Sequence, residues 1–185
     1  MRLFTGLDLP PEIVHNLENL LNTLRPAARI AWSPPTNLHI TTKFIGAWPE
    51  ERLDELKAAL ARVPKPGPIP VAIRGVGFFP NPHAPRVFWC GIEAPGLDRL
   101  AADTDRATAA LGVESEKRAF SPHLTLARIK ERLDLHPLQQ AIAALPSLEF
   151  GRCEARSSFL YLSQPGPKGS VYTKLAEFSL SSGVH

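Results

Sequence analysis

His39-Ile40-Thr41-Thr42 and His123-Leu124-Thr125-Leu126 spell one short phrase twice, histidine–apolar–threonine, 84 residues apart. Arg2-Leu3-Phe4 and Arg86-Val87-Phe88 recur at the same distance, so each histidine follows its own Arg-apolar-Phe start by 37 residues. The six histidines and nine threonines of the chain would produce about 0.3 His-x-Thr pairs by chance. A spacing shared by two separate features marks a duplicated unit. Such a unit can bring two copies of one residue face to face across a cleft.

The hydrophobic pattern around the two motifs supports the duplication. Leu3 to Leu9 reads as a strand, and Pro10-Pro11 opens a helix to about Leu24 with Ile13, Leu17, Leu20, Leu21 and Leu24 on one face. Leu38–Ile45 reads as a strand, 50–63 as a helix, and Ile69–Phe78 as a strand. The second half repeats this order: a strand from Val87, a helix after Pro95 to about Leu111, a strand at His123–Ala127 and a helix at Leu135–Leu145. Strands near Leu148–Cys153, Phe159–Leu162 and Val171–Leu180 follow. No linker is long or polar enough to separate independent domains. The expected fold is α+β: residues 1–185 form one domain of two pseudo-symmetric lobes, each a mostly antiparallel sheet with outer helices, around a central cleft.

Composition narrows the function. The chain has 185 residues, 44% hydrophobic and 21% charged, as in a globular domain with a sizeable core. No apolar run is long enough to span a membrane. Asp8 interrupts the opening apolar stretch, which excludes a signal-peptide layout and sets the expectation of a cytoplasmic, membrane-free protein. Cys90 and Cys153 fit neither Cys-x-x-Cys nor a metal-ligand spacing and read as small hydrophobes. The histidines form no His-Glu-x-x-His, so no metal and no cofactor is expected. A net charge of +3 is compatible with a polyanion such as RNA. Nothing in the sequence sets the oligomeric state, and a monomer is the default.

Residues i and i+2 of a strand share a face, so His39 projects with Thr41 and His123 with Thr125. The other face, with Leu38, Ile40 and Phe44 in the first copy and Leu124 and Leu126 in the second, can anchor the strands on the helices. Two facing imidazoles suit a reaction that needs one general base and one general acid near neutral pH. Two threonine hydroxyls can donate to the oxygens of a phosphorus held between them. No phosphate-cradling glycine loop and no strong nucleophile accompany them, so acid–base phosphoryl chemistry is expected over covalent or ATP-driven chemistry. The pseudo-symmetry leaves the order of the two histidine roles open.

Three segments carry a family resemblance: Arg2-Leu3-Phe4 with Leu7-Asp8-Leu9-Pro10, Leu38 to Gly46, and Phe120-Ser121-Pro122-His123-Leu124-Thr125-Leu126-Ala127-Arg128. With Phe79-Pro80, Arg86 to Trp89 and the Tyr172 segment, the chain resembles the RNA 2′,3′-cyclic phosphodiesterases, also called 2′-5′ RNA ligases, of the two-histidine phosphoesterases. Thr42 departs from the leucine common there and falls on the core side of the strand. The resemblance implies hydrolysis of an RNA 2′,3′-cyclic phosphate end to a 2′-phosphomonoester, with His39 as proton donor and His123 as proton acceptor. ATP-independent 2′-5′ ligation is the reverse-type reaction. Its implied partners are RNA with cyclic phosphate ends or cyclic nucleotides. Two alternatives stay open: a cyclic phosphodiesterase acting on small nucleotide or ADP-ribose derivatives, and a non-catalytic RNA-binding module.

Further candidates surround the motif. Lys43, four residues after His39 on the same face, can meet phosphate or end the strand in solvent. Strict alternation turns Arg128 away from the cleft, whereas a bulge would turn it in, to pair with phosphate as the resemblance implies. Phe44 occupies the matching place in the first copy and can stack on a base or join the core. Tyr172, Phe79 and Trp89 are stacking candidates that packing would equally explain. His15, His83, His136 and His185 read as surface positions.

Overall fold

The computed structural model describes residues 1–181; the expected surface place of His185 lies outside them. The first strand, β1 (Arg2–Leu7), is buried along all but its first residue. Helix α1 (Pro11–Leu24) starts with proline at its first position, where the missing N–H costs nothing. It ends as Pro26 tightens the chain into a single 3₁₀ turn at Arg25–Ala27. Its buried residues are the five expected, Ile13, Leu17, Leu20, Leu21 and Leu24. The completely buried Leu17, Leu21 and Leu24 each contribute about 1.5–3 kcal/mol by leaving water.

The order continues with β2 (Ala31–Trp32), β3 (Ile40–Ala47), α2 (Leu53–Ala61), β4 (Ile69–Phe79), β5 (Val87–Glu93) and α3 (Leu97–Ala109). It closes with β6 (His123–Arg128), α4 (His136–Ala143), β7 (Glu149–Ala155), β8 (Ser157–Gly166) and β9 (Gly169–Ser179). The two-residue β2 escaped the sequence pattern because it is too short to show a period.

Two antiparallel sheets result, ordered β3-β1-β8-β9 and β2-β6-β5-β4-β7. Apart from β2 they correspond strand for strand. The expected α+β fold of two similar sheets with helices is present, but neither lobe is a half of the chain. Strands β8 and β9, from the end of the chain, complete the sheet begun by β1 and β3. The helices are exchanged as well. Helix α1 leaves the first sheet and packs on β7 and α4, while α3 leaves the second and packs on β3 and α2. Thus the leucines of α1 share one cluster with Phe88, Cys90, Leu124 and Leu126 of the second sheet. Leu56 and Leu60 of α2 pack with Leu3, Ile45 and Leu160 of the first.

The pairing register also revises the repeat. Thr41 pairs with Gly6, and Thr125 with Trp89. The two motif strands are therefore 84 residues apart but their partners only 83. Phe4 and Phe88 are not equivalents: Phe4 faces the cleft, and Phe88 is fully buried on the other side of its sheet. Each motif strand carries a bulge at the same place. On β3, Thr41 and Lys43 pair with adjacent residues of β1, leaving Thr42 extra. On β6, Thr125 and Ala127 pair with adjacent residues of β5, leaving Leu126 extra. A bulged residue resets which face its successors point to.

Candidate active site

The two sheets enclose a cleft of about 690 Å³ lined by His39, Thr41, His123 and Thr125, so both motifs meet in one space. His39 sits one residue before β3, after a 3₁₀ turn at Pro35–Asn37, and His123 opens β6. Each imidazole is anchored the same way. His39 Nδ1 lies 2.7 Å from the Asn37 carbonyl, and His123 Nδ1 lies 3.0 Å from the Ser121 carbonyl. A carbonyl oxygen can only accept, so Nδ1 carries the hydrogen in both rings. Nε2 is left as the working nitrogen, able to accept when neutral and donate when charged. Thr41 Oγ1 lies 2.9 Å from His39 Nε2. On the opposite wall Ser33 Oγ donates to the Thr125 carbonyl at 2.8 Å and holds that strand.

The environments of the two rings differ. His39 stacks on Phe4, centroids 4.6 Å apart, and meets the edge of Tyr172 at 5.0 Å. Burial lowers its pKa below the ordinary histidine value, and its bond to the Asn37 carbonyl opposes that shift. His123 is exposed.

The bulges decide the neighbouring positions. Beyond Thr42, Phe44 pairs with Phe4 and so shares its cleft face, where it is 67% exposed. Beyond Leu126, Arg128 turns in and lines the cleft. Tyr172 of β9 lines it too. Thr42 is buried on the core side as expected, its hydroxyl 2.6 Å from that of Thr5.

Lys43 corrects the expectation of a phosphate contact. The bulge pairs it with Thr5, away from His39, and its side chain is only 1% exposed. Its ammonium donates to Asp105 Oδ1 at 2.6 Å and to the Glu114 carbonyl at 2.7 Å, with Glu116 Oε1 at 3.5 Å. Lys43 is among the residues lining the cleft, but its ammonium is engaged by these protein groups. Trp89 lays its ring over Gly77, and Phe79, although 52% exposed, is outside the cleft lining. Arg2 and Phe120, read in the sequence only as motif residues, and Arg118 and Ser163, not singled out there, also line the cleft. Arg118 lies in an irregular segment with no period to read. His15, His83 and His136 are exposed, and both cysteines are free thiols, with burial pushing that of Cys90 up to about 12. Among the described residues no group of three or more His, Cys, Asp or Glu side chains is placed to hold a metal, and no helix is long and apolar enough to cross a membrane.

The sequence and the fold have counterparts. The family model for LigT-like phosphoesterases matches residues 7–89 and 92–172. The chain belongs to the LigT-like phosphoesterase family. This phosphoesterase is 34% identical over 180 residues to a protein of Archaeoglobus fulgidus named RNA 2′,3′-cyclic phosphodiesterase, covering 96% of this chain and 99% of the relative. A Thermus thermophilus protein of the same name is 35% identical over 187 residues, covering 97% and 90%. Among solved structures, one of a Thermus thermophilus protein superposes with a TM-score of 0.80 at 34% identity, over 97% of this chain and 98% of that one. E. coli LigT complexed with 3′-AMP superposes at 0.77 with 26% identity, over 98% of each chain.

Proposed function

We propose that this phosphoesterase hydrolyses RNA 2′,3′-cyclic phosphate ends to 2′-phosphomonoesters by metal-independent acid–base catalysis. The observation that carries the proposal is the matched anchoring of two imidazoles, each fixed through Nδ1 to a carbonyl two residues earlier, within one cleft. His123 Nε2 takes a proton from water. The water oxygen bonds to phosphorus, the bond from phosphorus to O3′ breaks, and His39 Nε2 gives its proton to O3′. The 2′ ester bond survives. Thr41 and Thr125 hydroxyls donate to the non-bridging oxygens, and Arg128 pairs with their charge. Phe44 and Tyr172 offer aromatic surface to the terminal base.

The order of roles is the one the family resemblance implies. His39 must then be protonated in the substrate complex, although its surroundings disfavour the charged form. The anionic phosphate supplies the compensating charge. If a ribose 5′-hydroxyl replaces water, the same steps in the same order, with P–O3′ again the bond that breaks, join two strands through a 2′-5′ bond, and the cyclic ester provides the free energy without ATP.

The names of the relatives and the 3′-AMP complex of E. coli LigT support this substrate class. The test is turnover of a 2′,3′-cyclic-phosphate-ended oligonucleotide in EDTA, with the product identified by ³¹P NMR. A 2′-phosphate is expected. A 3′-phosphate reverses the bond assignment, no turnover of any cyclic end removes the reaction, and dependence on added metal removes the mechanism.

A further inference from the structure

Three guanidinium groups line the cleft, those of Arg2, Arg118 and Arg128. None forms an ion pair among the described residues. The acids of the lining are Asp98, Asp105 and Glu116, and the last two face Lys43. One reacting phosphate flanked by two threonines needs one of these arginines, and Arg128, three residues past Thr125, is placed for it. Two remain. Arg2 shares the cleft face of β1 with Phe4 and lies two residues, about 6.8 Å along a strand, beyond it. It pairs with Ala47 and Ser163, past Phe44 as seen from His39.

Arg118 stands on a pinned segment. Lys43 donates to the Glu114 carbonyl, and the Glu116 N–H donates to Asp105 Oδ1 at 3.0 Å, two residues before Arg118. The same segment runs on to Ser121, whose carbonyl orients His123. Cationic side chains left unpaired in a cleft and held on a fixed frame are suited to an anion that arrives with the ligand.

We infer that Arg2 and Arg118 form a second anion subsite, which takes the phosphodiester linkage on the 5′ side of the terminal nucleoside. This rests on the cyclic phosphodiesterase function proposed above and makes its preferred substrate a strand end. A cyclic mononucleotide has no such linkage and leaves the subsite unused.

The experiment measures kcat/KM on 2′,3′-cyclic AMP and on a hexanucleotide with a 2′,3′-cyclic phosphate end, across a KCl series, for wild type, Arg2→Gln, Arg118→Gln and the double variant. On the hexanucleotide each single variant is expected to lose about tenfold, the loss of one charge-assisted contact. The slope of log kcat/KM against log salt, steeper for the hexanucleotide in wild type, flattens by roughly 0.7 per lost phosphate contact. On cyclic AMP the variants match wild type, which also shows that they are folded. Equal losses on both substrates, no loss on either, or equal salt slopes in wild type would overturn the subsite. Wild type inactive on both substrates would remove the reaction itself, a distinct outcome.

Discussion

At the residue scale the cleft treats its two histidines unequally. His39 is packed between Phe4 and Tyr172, and His123 is open to solvent. Replacing either with alanine is expected to lower kcat about 10²–10⁴-fold, the usual contribution of a general acid or base; a variant within a few-fold of wild type in steady-state assays would make the motif structural. The ring surroundings give a second prediction. In an NMR titration of the free protein, His39 should titrate below about 6.5, and adding inorganic phosphate should raise its midpoint. A linkage effect follows. Because the folded form binds the His39 proton less readily than the unfolded form, its burial costs nothing well above the unfolded pKa and destabilises increasingly as pH falls below it. Wild type should therefore lose more Tm than His39→Asn between about pH 7.5 and 5; equal losses in thermal melts would contradict the shift. The four motif residues were legible in the sequence because type, spacing and duplication coincide. Their inequivalence was not, because it comes from Tyr172, which is distant in the chain, and from Phe4, whose apparent twin Phe88 faces the opposite way.

At the element scale the bulges explain where sequence reasoning failed. Period-two alternation puts Lys43 beside His39, but one extra residue sends it to α3 and brings Phe44 and Arg128 inward. The possibility of a bulge at Arg128 was readable, whereas its occurrence depends on pairing with another strand. Lys43→Met should destabilise by roughly 2–3 kcal/mol, below the usual range for breaking a buried pair, because Asp105 keeps 23% of its side-chain exposure. Urea melts check the stability, and kcat for the folded variant should change little compared with the histidine variants. A kcat loss of that larger size without destabilisation would restore Lys43 as a phosphate ligand. Gly6 is a separate constraint. A Cβ there would lie 2.5 Å from the Ile40 carbonyl, between His39 and Thr41. Gly6→Ala is expected to lower both Tm and kcat; a variant unchanged in both would show that β3 yields without disturbing the site.

At the scale of the whole molecule, the amphipathic stripe of α1 announced that the helix is buried but not against which sheet, so the exchange of α1 and α3 was invisible in the sequence. It ties each sheet to a helix that begins beside the other. Unfolding should therefore be one event. A variant keeping only Trp48, next to Leu56 and Leu60, and one keeping only Trp89, on β5, should report the same denaturant midpoint after correction for each variant's stability. Separated transitions would mean that the lobes melt independently. The paired extra residues at 42 and 126 carry one more consequence, for chain length. Individual side chains on this surface can be swapped without moving their neighbours. Deleting Thr42 would leave Thr41, Lys43 and Phe44 alternating against Gly6, Thr5 and Phe4, so Lys43 and Phe44 would keep their faces, and the same shortening at Leu126 would keep Arg128 turned inward. At these two places the chain can therefore lose a residue and still present the same side chains to the substrate.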